Sequence, residues 1–470
     1  MRLIIQARID DGDADRDGAT ILAVVERRDR SLSELGLTLA ESRALLAEVQ
    51  STLVSQQVAG WICGETDCRR CGSALCRKES RSIVLRTVFG KVTVKSPRLW
   101  SCTCQAAPGA PRRSISPLCT ALPRRVTPEL EYLQVKWAAH LPYRAATALL
   151  REVLPLDKGI SFSGTRQRIR VVGKELDAEV ERDIATQPKT VADEPILECG
   201  NIASVSVDSA WLRHCEPGNG QGRHVNIVAG RATFVRRPAR LYAYVHKEVR
   251  SAAGRLDQFL SRSGVERNER VTVISDDAGE FIKAVDGSQL ARGRILDWFH
   301  IAMEFKAVEN SVFGSKMIEP LERASVESEI RSAKWLVWHG KGGKAVARIK
   351  LLDEVLMARA DYEFSTLWWN LRRVSGYIRN NANTLVNYAA RHRRGLPISS
   401  SIAESAVNLV VSHRMAKKRH MRWSDEGAHC MAQVRVAALN GDLSPARLSA
   451  LAMLSAAGSP RTKCRDPLAA

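Results

Sequence analysis

The chain contains no run of ~18 apolar residues, the length a helix needs to cross a bilayer, and Met1–Asp10 lack the long apolar stretch of a secretory signal. These absences predict a protein that neither spans a membrane nor is exported. Cysteine is too sparse for a disulfide scaffold, at 11 in 470 residues, and is expected reduced. No internal repeat or low-complexity tract stands out. Two familiar ligand loops also fail. Gly340-Lys-Gly-Gly-Lys344-Ala345 lacks the spacing and the Ser/Thr of a phosphate-binding loop. Asp13, Asp15, Asp17 and Gly18 fit the start of a calcium loop, but Val24 stands where the bidentate Glu is required, so the segment reads as an acidic turn.

What the chain has in surplus is basic charge. It carries 71 Lys+Arg against 51 Asp+Glu, a formal +20, with a pI near 9.8. Such a balance attracts polyanions, nucleic acid before anionic lipid, and a cytoplasmic, nucleoid-associated location is expected. With 45% hydrophobic and 26% charged residues the composition is that of a globular protein, long enough for two to four folding units.

Residues 1–60 are mildly acidic and read as a strand from Leu3 to Ile9, an acidic turn, and a helical stretch from Ile21 to Val58 broken near Gly36. Residues 61–120 carry 11 Lys+Arg against 3 acids, and their strand-like pieces Ser82–Thr87 and Lys91–Ser96, joined by Phe89-Gly90, read as a hairpin. From Thr127 the period lengthens. Thr127 caps a helix with Pro128 at its first position and Leu130, Leu133, Trp137 and Leu141 as its apolar set. Further helices are expected at Tyr143–Val153 and Ser163–Arg182. Strands follow at Ala203–Leu212, Val225–Val235, Arg240–His246 and Val271–Ser275, with a helix at Ala252–Ser263, a pattern for a mixed sheet in an α/β layer domain. Residues 301–395 read as wholly helical. The expected domains are therefore 1–60, 61–120, 121–190 and 191–440, with a tail at 441–470.

Six cysteines fall between Cys63 and Cys104. Cys68-x2-Cys71 and Cys102-x-Cys104, on either side of the hairpin, supply the four thiolates that Zn²⁺ takes tetrahedrally in a zinc ribbon, while Cys63 and Cys76 leave the choice of ligands open. So small and basic a segment has little core of its own, and metal would carry part of its folding. Reduced cysteines without metal are the alternative. The helix at 163–182, set off by the turn from Pro155 to Gly159, bears Arg166, Arg168, Arg170 and Lys174. It suits the second helix of a helix-turn-helix entering the major groove of double-stranded DNA, or else a solvated charged face.

Three carboxylates complete the pattern. Ser204, Ser206 and Asp208 share one side of their strand, and Thr272, Ile274 and Asp276 share one side of theirs. If those strands are parallel neighbours, Asp208 and Asp276 meet. Two carboxylates that close stay ionised at low cost only around a cation, and Mg²⁺ (or Mn²⁺) takes oxygen ligands. Glu404 has two readings. Ser401-Ile-Ala-Glu404 is a capping box, and Glu404 is equally a third ligand opening a helix from Ile402 to Lys418. Arg414, Lys417, Lys418, Arg419 and Arg422 follow with no acid among them, as phosphate contacts would.

Taken in order, these features resemble the DDE transposases of bacterial insertion sequences, most closely the ISKra-type group. The resemblance covers nearly the whole chain: the cysteine pairs, Arg86-Thr-Val-Phe-Gly90, Ser96-Pro-Arg98, the stretch from Thr127 to Tyr143, and the carboxylate region. It implies a multidomain α/β protein, with a ribonuclease H-like catalytic domain preceded by a zinc ribbon and a helix-turn-helix region. Asp208, Asp276 and Glu404 would be its Mg²⁺-binding triad, and Asp297-Trp-Phe-His300 the Asp-x2-His signature between the second Asp and the Glu. Residues 301–395 would be a helical insertion within the 127 residues separating Asp276 from Glu404. Asp277 stands where that family more often has Gly, so Asp276 and Asp277 are alternatives. The implied partners are the terminal inverted repeats and target DNA, bound by a homo-oligomer that is at least a dimer on DNA. Two other readings share parts of the pattern: a non-catalytic DNA-binding regulator, which has no use for the triad, and a structure-selective nuclease of the same fold.

Overall fold

The computed structural model describes residues 1–8, 19–27, 35–105, 112–156, 159–186, 197–198, 200, 202–216, 223–234, 236–277, 279–315, 318–399, 406–415 and 421–458. The chain is mixed α/β and divides into two compact units, Met1–Glu175 with Gly441–Ala470, and Leu176–Asn440. The boundary between the units falls inside a helix, after Glu175. No helix among the described residues is long and apolar enough to cross a membrane.

The first unit opens with β1 (Arg2–Ala7) antiparallel to β2 (Thr20–Glu26), Leu3 opposite Val25 and Ile5 opposite Ala23. Helix was expected from Ile21; the apolar segment Ile21 to Val25, three of whose five residues are β-branched, has a partner strand in reach and forms a strand instead. The helix begins later, as α1 (Leu39–Cys63), after Gly36 at φ 77° and a Thr38/Glu41 capping box. Its Val54, Val58, Trp61 and Ile62 pack on the inward residues Ile83, Leu85, Val92 and Val94 of the hairpin β3 (Arg77–Thr87) and β4 (Gly90–Trp100). The hairpin is longer than its sequence signal, and Thr87 opposite Gly90 makes Val88-Phe89 the two-residue turn. Two short elements, β5 (Ser114–Ile115) and α2 (Pro117–Ala121), lead to three helices, α3 (Pro128–His140), α4 (Tyr143–Val153) and α5 (Phe162–Thr186).

Thr127 and Pro128 start α3 as expected, although the Thr127 side chain makes no capping bond. The apolar stripe is displaced: Trp137 is 39% exposed, and Leu130, Glu131, Gln134, Val135, Ala138 and Ala139 form the buried side. Glu131 faces inward because two guanidiniums hold it there, Arg124 and Arg168, the latter at 2.9 Å, and Arg124 also bridges to Glu175.

The second unit carries β6 (Leu197–Glu198), β7 (Ile202–His214), β8 (His224–Phe234), β9 (Arg240–Val245), α6 (Ala252–Arg262), β10 (Glu269–Ser275), α7 (Gly279–Asp286) and β11 (Ala291–Leu296). The main sheet runs β11-β10-β7-β8-β9. Strands β7, β8 and β9 are antiparallel in turn, whereas β10 lies parallel to both β7 and β11. One face buries Val205, Val207, Val228, Tyr242 and Tyr244 under Leu256, Phe259 and Leu260 of α6 and Phe281 and Val285 of α7. The stretch 301–395 was expected to be helical, and its described residues belong mostly to five helices, α8 (Trp298–Phe313), α9 (Pro320–Trp338), α10 (Gly342–Met357), α11 (Thr366–Asn380) and α12 (Tyr388–Arg393), around a core that includes Phe305, Ile330, Val337, Leu371 and Val374. The chain then passes through a π-helical turn, Asn408–Ser412, into α13 (His413–Met415), β12 (Arg422–Trp423) beside the end of β7, and α14 (Asp425–Leu439). A last helix, α15 (Pro445–Gly458), where a tail was expected, packs on α3 within the first unit.

Charge also fixes the second half of α5. Arg255 of α6, 4% exposed, pairs with Asp177 at 2.5 Å and with Glu181 at 2.6 Å. His429 of α14 accepts the Val245 N–H at Nδ1 (3.2 Å), which leaves its proton on Nε2, 2.8 Å from Asp177. Burial alone would raise the Asp177 carboxyl, but His429 and the Arg255 guanidinium outweigh it and hold it below its ordinary value. A carboxyl lowered in the folded state adds stability above its unfolded pKa and loses it as pH falls through the folded one. Asp177→Asn should therefore melt roughly 3 °C or more below wild type at neutral pH, and the gap should narrow as pH falls below the ordinary carboxylate range. Melting curves across that range check it.

Candidate metal centres

Among the described residues, two groups of side chains have the composition and spacing to hold metal ions: Cys68, Cys71, Cys102 and Cys104, and Asp208, Asp276 and His300. In each, the ligand atoms lie within 4.8 Å of one another.

The thiol group is built by two turns. After Cys68 the chain folds back on itself, with Gly72 N–H donating to Cys68 C=O (2.8 Å) and Cys68 N–H to Ser73 C=O (2.9 Å). This closure needs Gly72 at φ 72°, a conformation glycine adopts without strain. The second pair sits on a single 3₁₀ turn, Thr103–Gln105, which follows β4. Cys68 Sγ is 3.6 Å from Cys104 Sγ, and Cys71 Sγ is 3.4 Å from Cys102 Sγ, with none in a disulfide. Cys63 and Cys76 lie outside the group. The backbone N–H groups of Arg70 and Cys71 lower the Cys68 thiol. Ser73 and Cys102 hold Cys71 down to about 6. Burial and the other three sulfurs push Cys104 up to about 12. Four sulfurs in one place thus compete for charge, and a divalent cation among them removes the competition.

The carboxylate group arises from strand pairing. Val273 lies opposite Val205 and Ile274 opposite Ser206 in the parallel pair β10–β7, so two residues further on Asp276 comes beside Asp208. The condition set by the sequence is met. Asp208 accepts the Ser209 N–H at 2.7 Å. Its carboxyl is raised by burial and by the Asp276 and Asp297 carboxylates, against the opposing pull of Ser209 N–H and His300. His300 enters from the first turn of α8, directly after β11. Asp297, fully buried, caps that helix: Oδ1 accepts the Phe299 N–H at 2.8 Å and Oδ2 stands 3.7 Å from His300 Nε2. Asp297 therefore positions the helix and its histidine, while His300 joins the two aspartates, a ligand role that the sequence pattern did not assign to it.

Asp277 takes a different path. It accepts a hydrogen bond from Asn381 Nδ2 (3.4 Å) and lies outside the group, which leaves Asp276 as the partner of Asp208. Asn381 and its second partner, Arg294 at 3.0 Å, gave no local signal, since each stands on an element far along the chain from Asp277. Glu404, with its capping box, and Lys417, Lys418 and Arg419 lie outside the described residues, as does the acidic turn 11–18.

Two basic residues are not where a nucleic-acid surface needs them. Arg168 is bound into the ion pair with Glu131, and Arg414, 2% exposed, is packed with its guanidinium 5.7 Å from the Trp423 ring centre. A buried partner, in each case, has drawn the cation inward. Arg166, Lys174 and Arg422 are exposed and Arg170 is half-buried.

Comparison with protein-family models gives no match, and no curated protein matches the chain.

The thiol centre leads to a measurable outcome. Emission spectroscopy should find one zinc per chain, lost in Cys68→Ser, and the β3–β4 hairpin should then become sensitive to protease while the melting of the second unit is unchanged. A metal-free wild type with a protected hairpin would refute it. The carboxylate centre leads to another. A carboxyl raised by folding stabilises only while protonated, so at neutral pH ionised Asp208 works against the fold. Without divalent ions Asp208→Asn should melt roughly 2 °C above wild type at neutral pH, with the difference vanishing towards about pH 4. Added Mg²⁺ should stabilise wild type and leave the variant unmoved.

Proposed function

We propose that this chain is a DDE-type transposase with a ribonuclease H-like catalytic domain, which binds the ends of an insertion sequence and transfers them to target DNA as a dimer or larger oligomer. What supports this reading most is the parallel pairing of β7 with β10, which brings Asp208 and Asp276 within ligand reach of His300. A regulator that only binds DNA has no need of two adjacent carboxylates, one of them raised by burial and by the other. The formal charge of +20 and the basic hairpin region suit a polyanionic partner. In this reading Zn²⁺ fills the thiol group, and Mg²⁺ or Mn²⁺ the carboxylate group with Glu404 as a further ligand.

In the proposed reaction an oxygen of water attacks the phosphorus at the element end, the P–O bond breaks, and a 3′-hydroxyl is freed. That hydroxyl then attacks a target phosphorus and displaces the target's own 3′-oxygen. A divalent ion at the carboxylates would activate the attacking oxygen and neutralise charge on the leaving one. Asp208 lies within β7 and Asp276 directly follows β10, so hydrogen-bonded strands fix both positions, while Asp297, the cap of α8, stands 3.7 Å from His300 Nε2.

The test is a joining assay with purified protein, an end-containing donor, a target plasmid and Mg²⁺. Joined products are expected. Asp208→Asn, Asp276→Asn and Glu404→Gln should each lose at least about a hundredfold, some ~2.7 kcal/mol of transition-state stabilisation, while still binding ends. Glutamine preserves a capping box, so Glu404→Gln isolates the charge. Asp277→Asn should stay active. Cleavage without joining would replace the transposase by the nuclease, and full activity of Glu404→Gln would return that residue to its capping role.

A further inference from the structure

The two aspartates of the carboxylate group are held in different ways. Asp208 lies inside β7, opposite Ala229 of β8, and the pairing continues on either side of it. Strand β10 stops one residue short of Asp276. Its last pair is Ser275 with Leu296, and the Ser275 carbonyl accepts the Asp297 N–H at 3.0 Å. The ladder thus sets where Asp276 leaves the sheet, while side chains hold the carbonyl of Asp276 itself. That carbonyl accepts from the Arg294 guanidinium at 2.5 Å and from the Ser275 hydroxyl at 3.0 Å.

Arg294 is fixed in turn. It stands on β11 opposite Val273, and its second terminal nitrogen donates to Asn381 Oδ1 at 3.0 Å. Asn381, buried at the end of α11, is anchored to that helix: its backbone N–H and its Nδ2 both donate to the Tyr377 carbonyl, at 3.2 and 3.0 Å. Nδ2 also donates to Asp277, at 3.4 Å. The two residues after β10 are thereby tied to the helical segment, Asp276 through its carbonyl and Asp277 through its carboxylate. A planar guanidinium that donates from two nitrogens fixes its acceptors relative to each other, and a peptide held in this way limits the swing of the carboxylate it carries. The charge of Arg294 acts the other way. A cation beside Asp276 repels a divalent ion bound there, so geometry and charge predict opposite effects of removing it.

We propose that Arg294 and Asn381 are positioning residues for the carboxylate metal centre, which hold the Asp276 peptide so that its carboxylate meets Asp208 and His300 around a divalent cation. The inference rests on the reading of that group as a metal site. It gives the helical segment a share in building the centre, and what it governs is metal affinity.

The probe is Mn²⁺, whose free ion gives an electron paramagnetic resonance signal that binding removes. The full chain is titrated with it, and the carboxylate site is identified as the one lost in Asp208→Asn. Arg294→Met and Asn381→Ala should each bind Mn²⁺ at that site about tenfold or more weakly than wild type, the range usual when a group that orients a ligand is removed. Arg294→Lys keeps the charge and loses the fork, and should also bind more weakly, which preserves the test if Arg294→Met does not fold. Ile330→Ala opens a cavity in the core of the same helical segment, on α9, and should lower the melting temperature with Mn²⁺ affinity unchanged. Tighter Mn²⁺ binding by Arg294→Met overturns the proposal, because the guanidinium then acts on the metal through its charge. Unchanged affinity in either Arg294→Met or Asn381→Ala overturns it as well, whatever the melting temperature, and leaves the contact a structural tie. An Ile330→Ala protein that loses as much affinity as they do overturns it too, because general loosening then suffices. If wild type has no Mn²⁺ site that Asp208→Asn removes, the metal reading itself falls and the proposal with it.

Discussion

The pairing of β7 with β10 is the contact on which the second unit turns. A parallel pair cannot be made by a hairpin and requires a long crossover, here through β8, β9 and α6, so the two aspartates are brought together by chain separated by 67 residues. A slip of one residue in this pairing would turn Asp276 to the other face of the sheet, into the layer of Val207, Tyr244 and Phe281. Packing of that layer thus guards the register, and the register sets the distance between two like charges. The site is a consequence of how the core is filled.

Much of this arrangement was legible because strands and carboxylates share a two-residue period. Alternation placed Asp208 and Asp276 on one face of their strands, and the order of strands and helices gave an α/β layer. The cysteine pairs were legible through spacing alone. Other features have no local signature. Strand β11, with Arg292, Gly293 and Arg294 in a six-residue segment, was not among the strands expected, and β10 supplies the hydrogen bonds that define it. Residues from Ile21 read as helix because an apolar run of that length suits either state, and the partner that decides lies in β1. Asn381 matters through residues about a hundred positions away.

Charge was the least faithful guide. A cluster of cations in a sequence does not reveal which of them have buried partners. Arg168 and Arg414 stand among the residues that spacing offers to DNA, yet one is fixed by Glu131 and the other lies against Trp423. The network of Arg124, Glu131, Arg168 and Glu175 orders the first unit, where α3 turns a carboxylate inward in place of an expected tryptophan. Such networks add little net stability over an apolar core, but breaking one partner leaves a buried charge, so they constrain sequence strongly.

The π-helical turn Asn408–Ser412 holds one residue more than an α-helical turn would. Each residue of a helix advances its direction by about 100°. Excising a single residue here would restore ordinary hydrogen bonding and swing Ala406 and Val407 by that angle relative to Met415, all of it within a segment whose Ala406, Val410, Val411 and Met415 are buried. The bulge is thus a one-residue insertion written into the geometry. Its removal would be nearly silent to the backbone and would displace the side chains that seat this segment in the core.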